Sequence, residues 1–285
     1  MTPQADSSIN ENELVEANEI LEKVRELQQS DDVNPPVPDR PIIGIDLGTS
    51  NLQLTVVDEN GRPVASRFQW DDSVRDGIVL DYVAARDRLR MMLDNLREDL
   101  GEDENLNRAS VGYPPGTEPR AQANVAKDVG LDVIQKIDEP TAAMETLGID
   151  QGAIVDIGGG TTGISVVQNG EVVHTHDEPT GGHHITLVLA GNRELEFEQA
   201  EQYKRDNPLR QYQGAVEPVI QKMASIVDNQ LRNYSGVETV YLVGGTCIPE
   251  GFGQAIQQEL GCNVLKPVDP ILVTPVGIAL AGIED

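Results

Sequence analysis

The sequence predicts an α/β fold of two related lobes, because one loop pattern occurs twice and strand patterns alternate with helical ones. Residues 43–51 read IGIDLGTSN, and residues 155–165 read VDIGGGTTGIS. Each segment runs from aliphatic residues through Asp to glycines mixed with Thr or Ser, and then to further apolar residues. Glycine tolerates positive φ and lets backbone N–H groups approach an anion, so each segment is typical of a phosphate-binding hairpin. Two such loops, a domain apart, predict a nucleotide held between two lobes.

Strand and helix patterns alternate along the chain from Pro41 onward. Apolar runs bounded by turn residues predict strands, and apolar positions at helical spacing predict helices. In the first half the predicted elements are strands 42–46, 52–58, 110–113 and 133–137 and helices 81–100, 119–129 and 140–147. In the second half they are strands 152–156, 163–168 and 239–243, a strand after Gly170, and helices 198–204, 216–234 and 275–283. The apolar positions of the helix at 81–100 are Val83, Ala84, Leu89, Met92, Leu93 and Leu96. The repeated order fits two copies of one α/β unit.

Residues 1–40 are predicted to form a separate piece, followed by a first lobe at 41–151 and a second lobe at 152–269. Residues 270–285 are predicted to cross back and complete the first lobe. The first piece has a modest apolar stripe at helical spacing within 10–29, made of Leu14, Ala17, Leu21, Val24 and, loosely, Ile20 and Leu27. The proline-rich stretch at 31–40 then predicts a stiff linker. Two interpretations stay open: the helix packs on the body of this protein, or it is a detachable tag that docks into another protein's groove.

The net charge of −27 over 285 residues argues against nucleic acid or an anionic membrane as a partner. It indicates a solvated acidic surface, with a basic partner protein as the alternative. The chain has two cysteines, and neither a signal peptide nor a long apolar run is recognisable. These features argue against a secreted disulfide scaffold and against a membrane span. The cytoplasm is therefore the expected compartment.

The loops resemble those of the superfamily that contains Hsp70 chaperones, sugar kinases and actins. The first loop matches the phosphate-1 motif, the second loop the phosphate-2 motif, and VYLVGGTCIPEGF at 240–252 the adenosine motif. EPTAA at 139–143 is similar to the connecting segment of Hsp70, and VRDGIVLD at 74–81 is similar to a segment of bacterial actins. Motifs in this order over 41–283 imply a duplicated RNase H-like fold, the actin/Hsp70 ATPase fold, with two lobes around a nucleotide cleft.

Within that superfamily the chain resembles the ethanolamine utilization EutJ family, on WDDSVRDGIV, SVGYPPGT, EPTGGHHITLVLAGNRELEFEQAEQYKR and LVGGTCIPEG. The resemblance implies a chaperone-like, ATP-binding accessory protein of ethanolamine catabolism. Its implied partners are ethanolamine ammonia-lyase subunits or the shell and cargo proteins of a bacterial microcompartment. The N-terminal helix and linker look similar to the encapsulation tags of microcompartment cargo. No peptide-binding region follows the last helix, so a client is expected to bind the lobes themselves.

The resemblance also implies a site for ATP or ADP with Mg²⁺. Asp46 and Asp156 would face each other across the cleft and hold Mg²⁺ largely through water, and Glu139 would orient an attacking water. These three are the implied catalytic residues. Because Glu201 and Lys204 are three residues apart, they share a helix face, which would lie beside the adenosine. The full set of implied cofactor-binding residues is Gly48, Thr49, Ser50, Asn51, Gly158, Gly159, Gly160, Thr161, Thr162, Gly181, Gly182, Glu201, Lys204, Gly244, Gly245 and Thr246.

Two departures from Hsp70 predict slow chemistry. Gly163 follows the threonines of the second loop, where Hsp70 and several bacterial actins have a carboxylate. Hsp70 also has a lysine after the first loop, and this chain has none between Lys23 and Lys127. Each loss removes electrostatic stabilisation of phosphoryl transfer, worth roughly a few kcal/mol. The expected result is a nucleotide-gated switch that is at most a weak ATPase.

Other functions and sites are weaker interpretations of the same residues. An actin-like protein that assembles with nucleotide is the main alternative, on VRDGIVLD, and a small-molecule kinase is the second. The four histidines, His174, His176, His183 and His184, fall close together, but no Cys or ligand helix completes a tetrahedral metal set. They are expected to line the cleft or the lobe interface. The single tryptophan, Trp70, is expected to pack between lobes.

Overall fold

Two five-stranded sheets form the framework of the chain. The computed structural model describes residues 14–29, 38–48, 50–70, 74–75, 78–79, 81–101 and 105–283. The strands of the first half are β1 (Ile42–Leu47), β2 (Asn51–Val57), β3 (Pro63–Trp70), β4 (Val74–Arg75), β5 (Ile78–Val79), β6 (Arg108–Tyr113) and β7 (Asp132–Asp138). Five of them form one sheet in the order β3-β2-β1-β6-β7, while β4 and β5 form a separate two-stranded pair.

The second sheet repeats the arrangement of the first. Its strands are β8 (Gln151–Ile157), β9 (Thr162–Gln168), β10 (Glu171–Glu178), β11 (Thr239–Val243) and β12 (Asn263–Leu265), in the order β10-β9-β8-β11-β12. In each sheet the first strand pairs antiparallel with the second and parallel with the fourth. The prediction of two copies of one α/β unit is therefore confirmed. Each phosphate-type loop joins the first two strands of its sheet.

Nine α-helices cover these sheets in the part of the chain that the structure describes. They are α1 (Val15–Gln29), α2 (Tyr82–Asp99), α3 (Arg120–Asp128), α4 (Glu139–Leu147), α5 (Gly182–Arg193), α6 (Phe197–Asp206), α7 (Gln213–Leu231), α8 (Phe252–Leu260) and α9 (Val273–Leu280). None of the described helices is long and apolar enough to cross a bilayer. One apolar core lies between the first sheet and α2 and α3, and a second lies between the second sheet and α5 to α8.

Helices α4 and α9 cross at the centre of the molecule, at very short range. A Cβ on Gly277 of α9 would overlap the carbonyl oxygen of Ala142 in α4, so only glycine allows this approach. The Thr146 hydroxyl of α4 donates to the Val273 carbonyl of α9 at 2.7 Å. On its other side α9 lies against β1, where Gly44 faces Ala279 without room for a Cβ. The last helix thus lies against the first strand of the first sheet.

Helix α1 packs on the body of the protein, as the first of the two sequence interpretations holds. Leu21 and Val24 are completely buried, in a cluster with residues of α4, the second sheet and α9. Two side-chain hydrogen bonds fix its ends. Asn18 Oδ1 accepts from the Val268 amide of the second half at 2.9 Å, and Gln28 Nε2 donates to Ser66 Oγ of β3 at 2.9 Å. The helix therefore contacts both halves of the duplicated fold.

Several elements differ from the sequence prediction. Helices α5 and α8 are absent from the sequence prediction. For α5 the reason is that it begins at Gly182, in a glycine-rich segment that the sequence indicates as a turn. In α2 the side chain of Val83 is exposed, since Ala85 rather than Val83 shares the buried face with Leu89. The predicted N-terminal helix begins at Val15. Most of the predicted linker at 31–40 and part of VRDGIVLD lie outside the described residues.

Replacing Gly277 with alanine is expected to destabilise the fold, because the new methyl group would overlap the Ala142 carbonyl. Overpacking of this kind costs about 1–3 kcal/mol. Urea unfolding would measure it. Gly191→Ala in α5 is the matched control, since nothing lies within 4 Å of its Cβ position, and there alanine should stabilise by about 0.5–1 kcal/mol. Equal stability of the two variants would contradict the close crossing.

Replacing Leu21 with alanine tests the packing of α1. Leu21 is completely buried, so truncation should lower the free energy of unfolding by about 2–5 kcal/mol. Val15→Ala on the same helix is the control, because Val15 is exposed and should change stability by less than about 0.5 kcal/mol. If Leu21→Ala leaves the urea midpoint unchanged, α1 is a detachable segment in solution.

Candidate functional site

A cavity of about 430 Å³ lies where the two glycine loops face each other. Its walls include Asp46, Gly48, Ser50 and Asn51 from the first half and Asp156, Gly158, Gly159, Gly160 and Thr161 from the second. Glu139, Glu201, Lys204, Gly244, Gly245 and Thr246 complete the predicted residues in the wall. The fold thus brings most of the predicted site together, from segments that lie up to two hundred residues apart.

Three predicted residues lie outside this wall, and one is not described. The Thr162 hydroxyl is buried and donates to the Thr180 carbonyl at 2.5 Å, so it has a structural role. Gly181 and Gly182 start α5 and pack against Gly159 and Thr246, where a Cβ would leave too little space. These glycines hold the second loop in place and are not part of the cavity surface. Thr49 lies outside the described residues.

The second loop is held from behind by hydrogen bonds to its backbone. Gly158 accepts from the Gly182 amide at 2.9 Å and from the Thr246 hydroxyl at 2.8 Å, and Gly159 accepts from the His183 amide at 2.8 Å. These bonds fix the position of the second loop, whose own Gly158 amide donates to the Thr161 carbonyl at 3.0 Å. Glycine-rich backbone that lines a cavity, as this loop does, is of the kind that binds an anion through N–H groups.

Three carboxylates line the base of the cavity, and burial together with neighbouring acidic side chains disfavours the charged form of each. Asp46 is the penultimate residue of β1, Asp156 is the penultimate residue of β8, and Glu139 is the first residue of α4. Burial and the charge of Asp156 raise the pKa of Asp46 to about 7. Burial, together with the charge of Asp177, raises the pKa of Asp156 to about 6, although a hydrogen bond with Thr274 opposes this. Burial, followed by the charges of Asp46, Asp156 and Asp177, raises the pKa of Glu139 well above its ordinary value. The base therefore favours a cation.

Glu201 and Lys204 form an ion pair at one side of the cavity, as their shared helix face predicts. Lys204 is 6% exposed, and its Nζ donates to Glu201 Oε2 at 2.7 Å, to Thr186 Oγ1 at 2.9 Å and to the Gly182 carbonyl at 3.2 Å. Burial alone would raise the pKa of Glu201, but Lys204 and its other partners hold that pKa below its ordinary value. With three donors engaged, the ammonium group acts mainly to hold α6 against α5.

Arg205 and Asp177 are cavity residues that the sequence interpretation missed. The Arg205 guanidinium lies 3.5 Å from the centroid of the Trp70 ring, in cation–π contact, and its Nε donates to Glu201 at 2.9 Å. Trp70 ends β3 in the first half and Arg205 belongs to α6 in the second, so the contact spans the cavity mouth. The expected packing of Trp70 between lobes takes this form. For Arg205, the available signal in the sequence was a second basic residue directly after Lys204.

The residues present fit a nucleotide with a divalent cation. Ser50 Oγ is buried and has no hydrogen-bond partner among the described residues, which leaves a hydroxyl for a ligand in the first loop. Directly beside it, a Cβ on Gly159 would lie 2.1 Å from Ser50 Oγ, so glycine is what allows the two loops to approach each other here. Anion-binding backbone on two sides and carboxylates at the base match a phosphate chain with its counter-ion.

The histidines are divided between two places. His174 stacks on Tyr234 with 5.0 Å between ring centroids, and His176 lies 3.6 Å from Glu178, both on one face of β10. His183 and His184 lie in the first turn of α5, where His183 borders the cavity. Across the described ranges, no three His, Cys, Asp or Glu side chains are grouped so that they could hold a metal ion.

The pKa of Asp46 predicts how stability depends on pH. Because folding raises this pKa from 3.8 to about 7, the folded protein binds more protons than the unfolded chain between those values. Stability without nucleotide or divalent cation should therefore fall as pH rises through that window. Asp46→Asn should remove up to about 1.4 kcal/mol per pH unit of that slope. Urea unfolding at several pH values would measure this slope. The control is Asp94→Asn, at an exposed position of α2. Equal slopes in wild type and Asp46→Asn would contradict the prediction.

Comparisons with known proteins agree with this fold. The model for type IV pilus assembly protein PilM matches residues 137–275, and the model for MreB/Mbl protein matches residues 69–190. An MreB of Spiroplasma citri bound to ADP has a similar structure, with TM-score 0.69, 17% identity, and coverage of 85% of this chain and 96% of that chain. At this identity the likeness shows the fold alone.

Two relatives are much more similar. The ethanolamine utilization protein EutJ of Escherichia coli (strain K12) is 42% identical over 252 residues, which cover 88% of this chain and 89% of that protein. The crystal structure of the ethanolamine utilization protein EutJ from Carboxydothermus hydrogenoformans has TM-score 0.88 and 42% identity, covering 94% of this chain and 99% of that chain. This chain therefore belongs to the EutJ family of ethanolamine utilization proteins and has the actin/Hsp70-like ATPase fold.

Proposed function

We propose that this protein binds ATP and ADP with Mg²⁺ in the cleft and serves ethanolamine utilization as a chaperone-like accessory protein. One observation carries the nucleotide part of the proposal: two glycine loops from duplicated halves face one cavity that has carboxylates at its base. The MreB relative that was solved with ADP supports the choice of ligand class. The EutJ relatives support the metabolic context.

The two loops would hold the phosphates and the adenosine motif would hold the nucleoside. Gly48, Ser50 and Asn51 would contact the phosphates from one side, with Thr49 expected beside them. Gly158, Gly159, Gly160 and Thr161 would contact them from the other side. Gly244, Gly245 and Thr246 follow β11 and lie on the second-half wall, with Glu201 and Lys204 nearby. The nucleobase would then lie beside the second half, and the phosphates would lie between the two loops.

Asp46 and Asp156 would hold Mg²⁺ through its water ligands, and Glu139 would orient a water toward the terminal phosphate. Mg²⁺ keeps several waters in most protein sites, so ligation through water suits carboxylates that are not grouped for direct contact. When bound, the cation supplies charge neutralisation for phosphoryl transfer. Hydrolysis is expected to be slow, because no lysine side chain from the first loop region reaches the phosphates and Lys204 is engaged with Glu201.

Nucleotide would act on the client by moving the two halves. Helix α4 begins with Glu139 at the cavity, and α9 provides Thr274, which hydrogen bonds Asp156. Both helices meet at the Gly277 crossing. Ligand that draws the loops together would therefore rotate one half against the other about this crossing. Such lobe closure changes the outer surfaces that a client contacts.

The proposed client is an ethanolamine ammonia-lyase subunit or a shell or cargo protein of the microcompartment, in the cytoplasm. A net charge of −27 favours a client with a basic face and disfavours nucleic acid. With α1 packed on the body, its use as an encapsulation tag would require the helix to leave a buried cluster. Binding of the client to the lobes is therefore the proposed mode.

Nucleotide-dependent assembly is the alternative function, and the match of the MreB/Mbl model to residues 69–190 favours it. The large net negative charge opposes close packing of copies at low salt. Pelleting or light scattering that appears with ATP and disappears with ADP would support this alternative over a client-binding switch.

The proposal predicts measurable ATP binding with weak turnover. Asp156→Ala should lower Mg²⁺–ATP affinity at least about tenfold, since it removes one of the two proposed cation carboxylates. Glu139→Gln should keep affinity within about threefold and lower the already slow hydrolysis by about 100-fold, the usual effect of a lost general base. Calorimetry and phosphate release would measure these values, with Asp94→Asn as the control.

Two results would contradict the proposal. Rapid hydrolysis by the wild type would show that the missing lysine is fully compensated and that the switch mechanism is wrong. Absence of ATP and ADP binding by the wild type would mean that the cleft serves as a scaffold.

A further inference from the structure

Three neighbouring strands place a carboxylate, a glycine and a carboxylate in one row at the cleft. Asp156 of β8 pairs with Gly163 of β9, and Gly163 pairs with Asp177 of β10. Residues directly opposite each other on adjacent strands extend to the same face of the sheet. The two carboxylates therefore stand on either side of the position that lacks a side chain, and both line the cavity.

The Asp177 carboxylate occupies the space that a side chain on Gly163 would take. A Cβ on Gly163 would lie 3.2 Å from Asp177 Oδ1 and 3.8 Å from the Asp156 Cβ. The backbone of Gly163 is not in the left-handed region, so its conformation would accept other residues. Glycine at this position thus makes room for the Asp177 side chain to lie over β9 toward Asp156.

The charge of Asp177 acts on the base of the cleft. It contributes to the raised pKa of Asp156 and, less strongly, to that of Glu139. Asp177 itself is exposed, so a hydrated ion in the cleft has access to it. An independent sign of a ligand is the buried Ser50 Oγ, which lines the same cavity without a hydrogen-bond partner among the described residues.

We propose that Asp177 is a positioning residue for the divalent cation that accompanies the nucleotide phosphates, supplied by β10 in place of a carboxylate at Gly163. This inference rests on the proposed function. Asp177 acts through water ligands of the cation, as Asp46 and Asp156 do. On this proposal the neighbouring strand provides the carboxylate that Gly163 lacks, from a different position in the sequence.

A structural role for Asp177 predicts different behaviour. β10 is an edge strand, and charged side chains on edge strands limit pairing with other chains. A residue with that role alone would leave the Mg²⁺ dependence of nucleotide binding unchanged. A residue that positions the cation would change affinity with Mg²⁺ and without it in opposite directions, since the carboxylate attracts the cation and repels the phosphates.

The test measures ATP affinity by calorimetry in Mg²⁺ and in EDTA for wild type, Asp177→Asn and the control Glu171→Gln. Glu171 lies on the same strand, is exposed and does not line the cavity. Asp177→Asn should bind ATP about tenfold more weakly in Mg²⁺ and more tightly in EDTA. Glu171→Gln should match the wild type under both conditions.

The double variant Gly163→Asp/Asp177→Gly moves the carboxylate from β10 to β9. It should restore Mg²⁺–ATP affinity to within about threefold of wild type, because the space that Asp177 leaves accepts the new side chain. Gly163→Asp alone should weaken Mg²⁺–ATP binding, since its side chain would meet Asp177 Oδ1.

Each outcome decides between the two proposals. Wild-type Mg²⁺ dependence in Asp177→Asn overturns the role of Asp177 and leaves nucleotide binding intact. Equal weakening in Mg²⁺ and EDTA also overturns it, because that pattern indicates a structural defect. If the wild type binds no ATP under either condition, the proposed function fails and this inference fails with it.

Discussion

The short approach of α4 and α9 is the constraint on which the rest of the molecule depends. Gly277 lets the two helices meet at the Ala142 carbonyl, and no side chain would fit between them. Both helices also reach the cleft: α4 begins with Glu139, and α9 carries Thr274 next to Asp156. The contact between these two helices therefore also fixes the positions of Glu139 and Thr274 at the cleft.

The acidic residues of the cleft lower the stability of the folded protein when no ligand is bound. Asp46, Glu139 and Asp156 are brought together with raised pKa values, because burial and mutual repulsion disfavour their charged forms. Asp177 adds a fourth carboxyl group at the same wall. A ligand that carries a cation into this cleft would relieve that repulsion and so stabilise the protein. This arrangement is more typical of a functional site than of a stabilising core.

Helix α1 has only a modest apolar pattern in the sequence, yet it packs into a buried cluster of the structure. Its apolar stripe is narrow, yet Leu21 and Val24 are completely buried against both halves. Hydrogen bonds from Asn18 and Gln28 attach it to the second and first halves respectively. Any rotation of the halves must therefore be accommodated by this helix, in addition to the crossing of α4 and α9. The helix extends the coupling between the halves to the N-terminal segment.

The sequence by itself determined the repeated α/β unit and the two loops, because hydrophobic periodicity and glycine–threonine loops are local patterns. Glu139 was instead implied by the resemblance of EPTAA to the connecting segment of Hsp70. Only the tertiary structure decided that Asp177 lies over Gly163, that Arg205 covers Trp70, and that Gly181 and Gly182 support the second loop instead of lining the cavity. These relations depend on strand register and on helix α5, whose glycine-rich start resembles a turn. Contacts between residues far apart in the chain leave no periodic signal in the sequence, so the position of each partner emerges from packing alone.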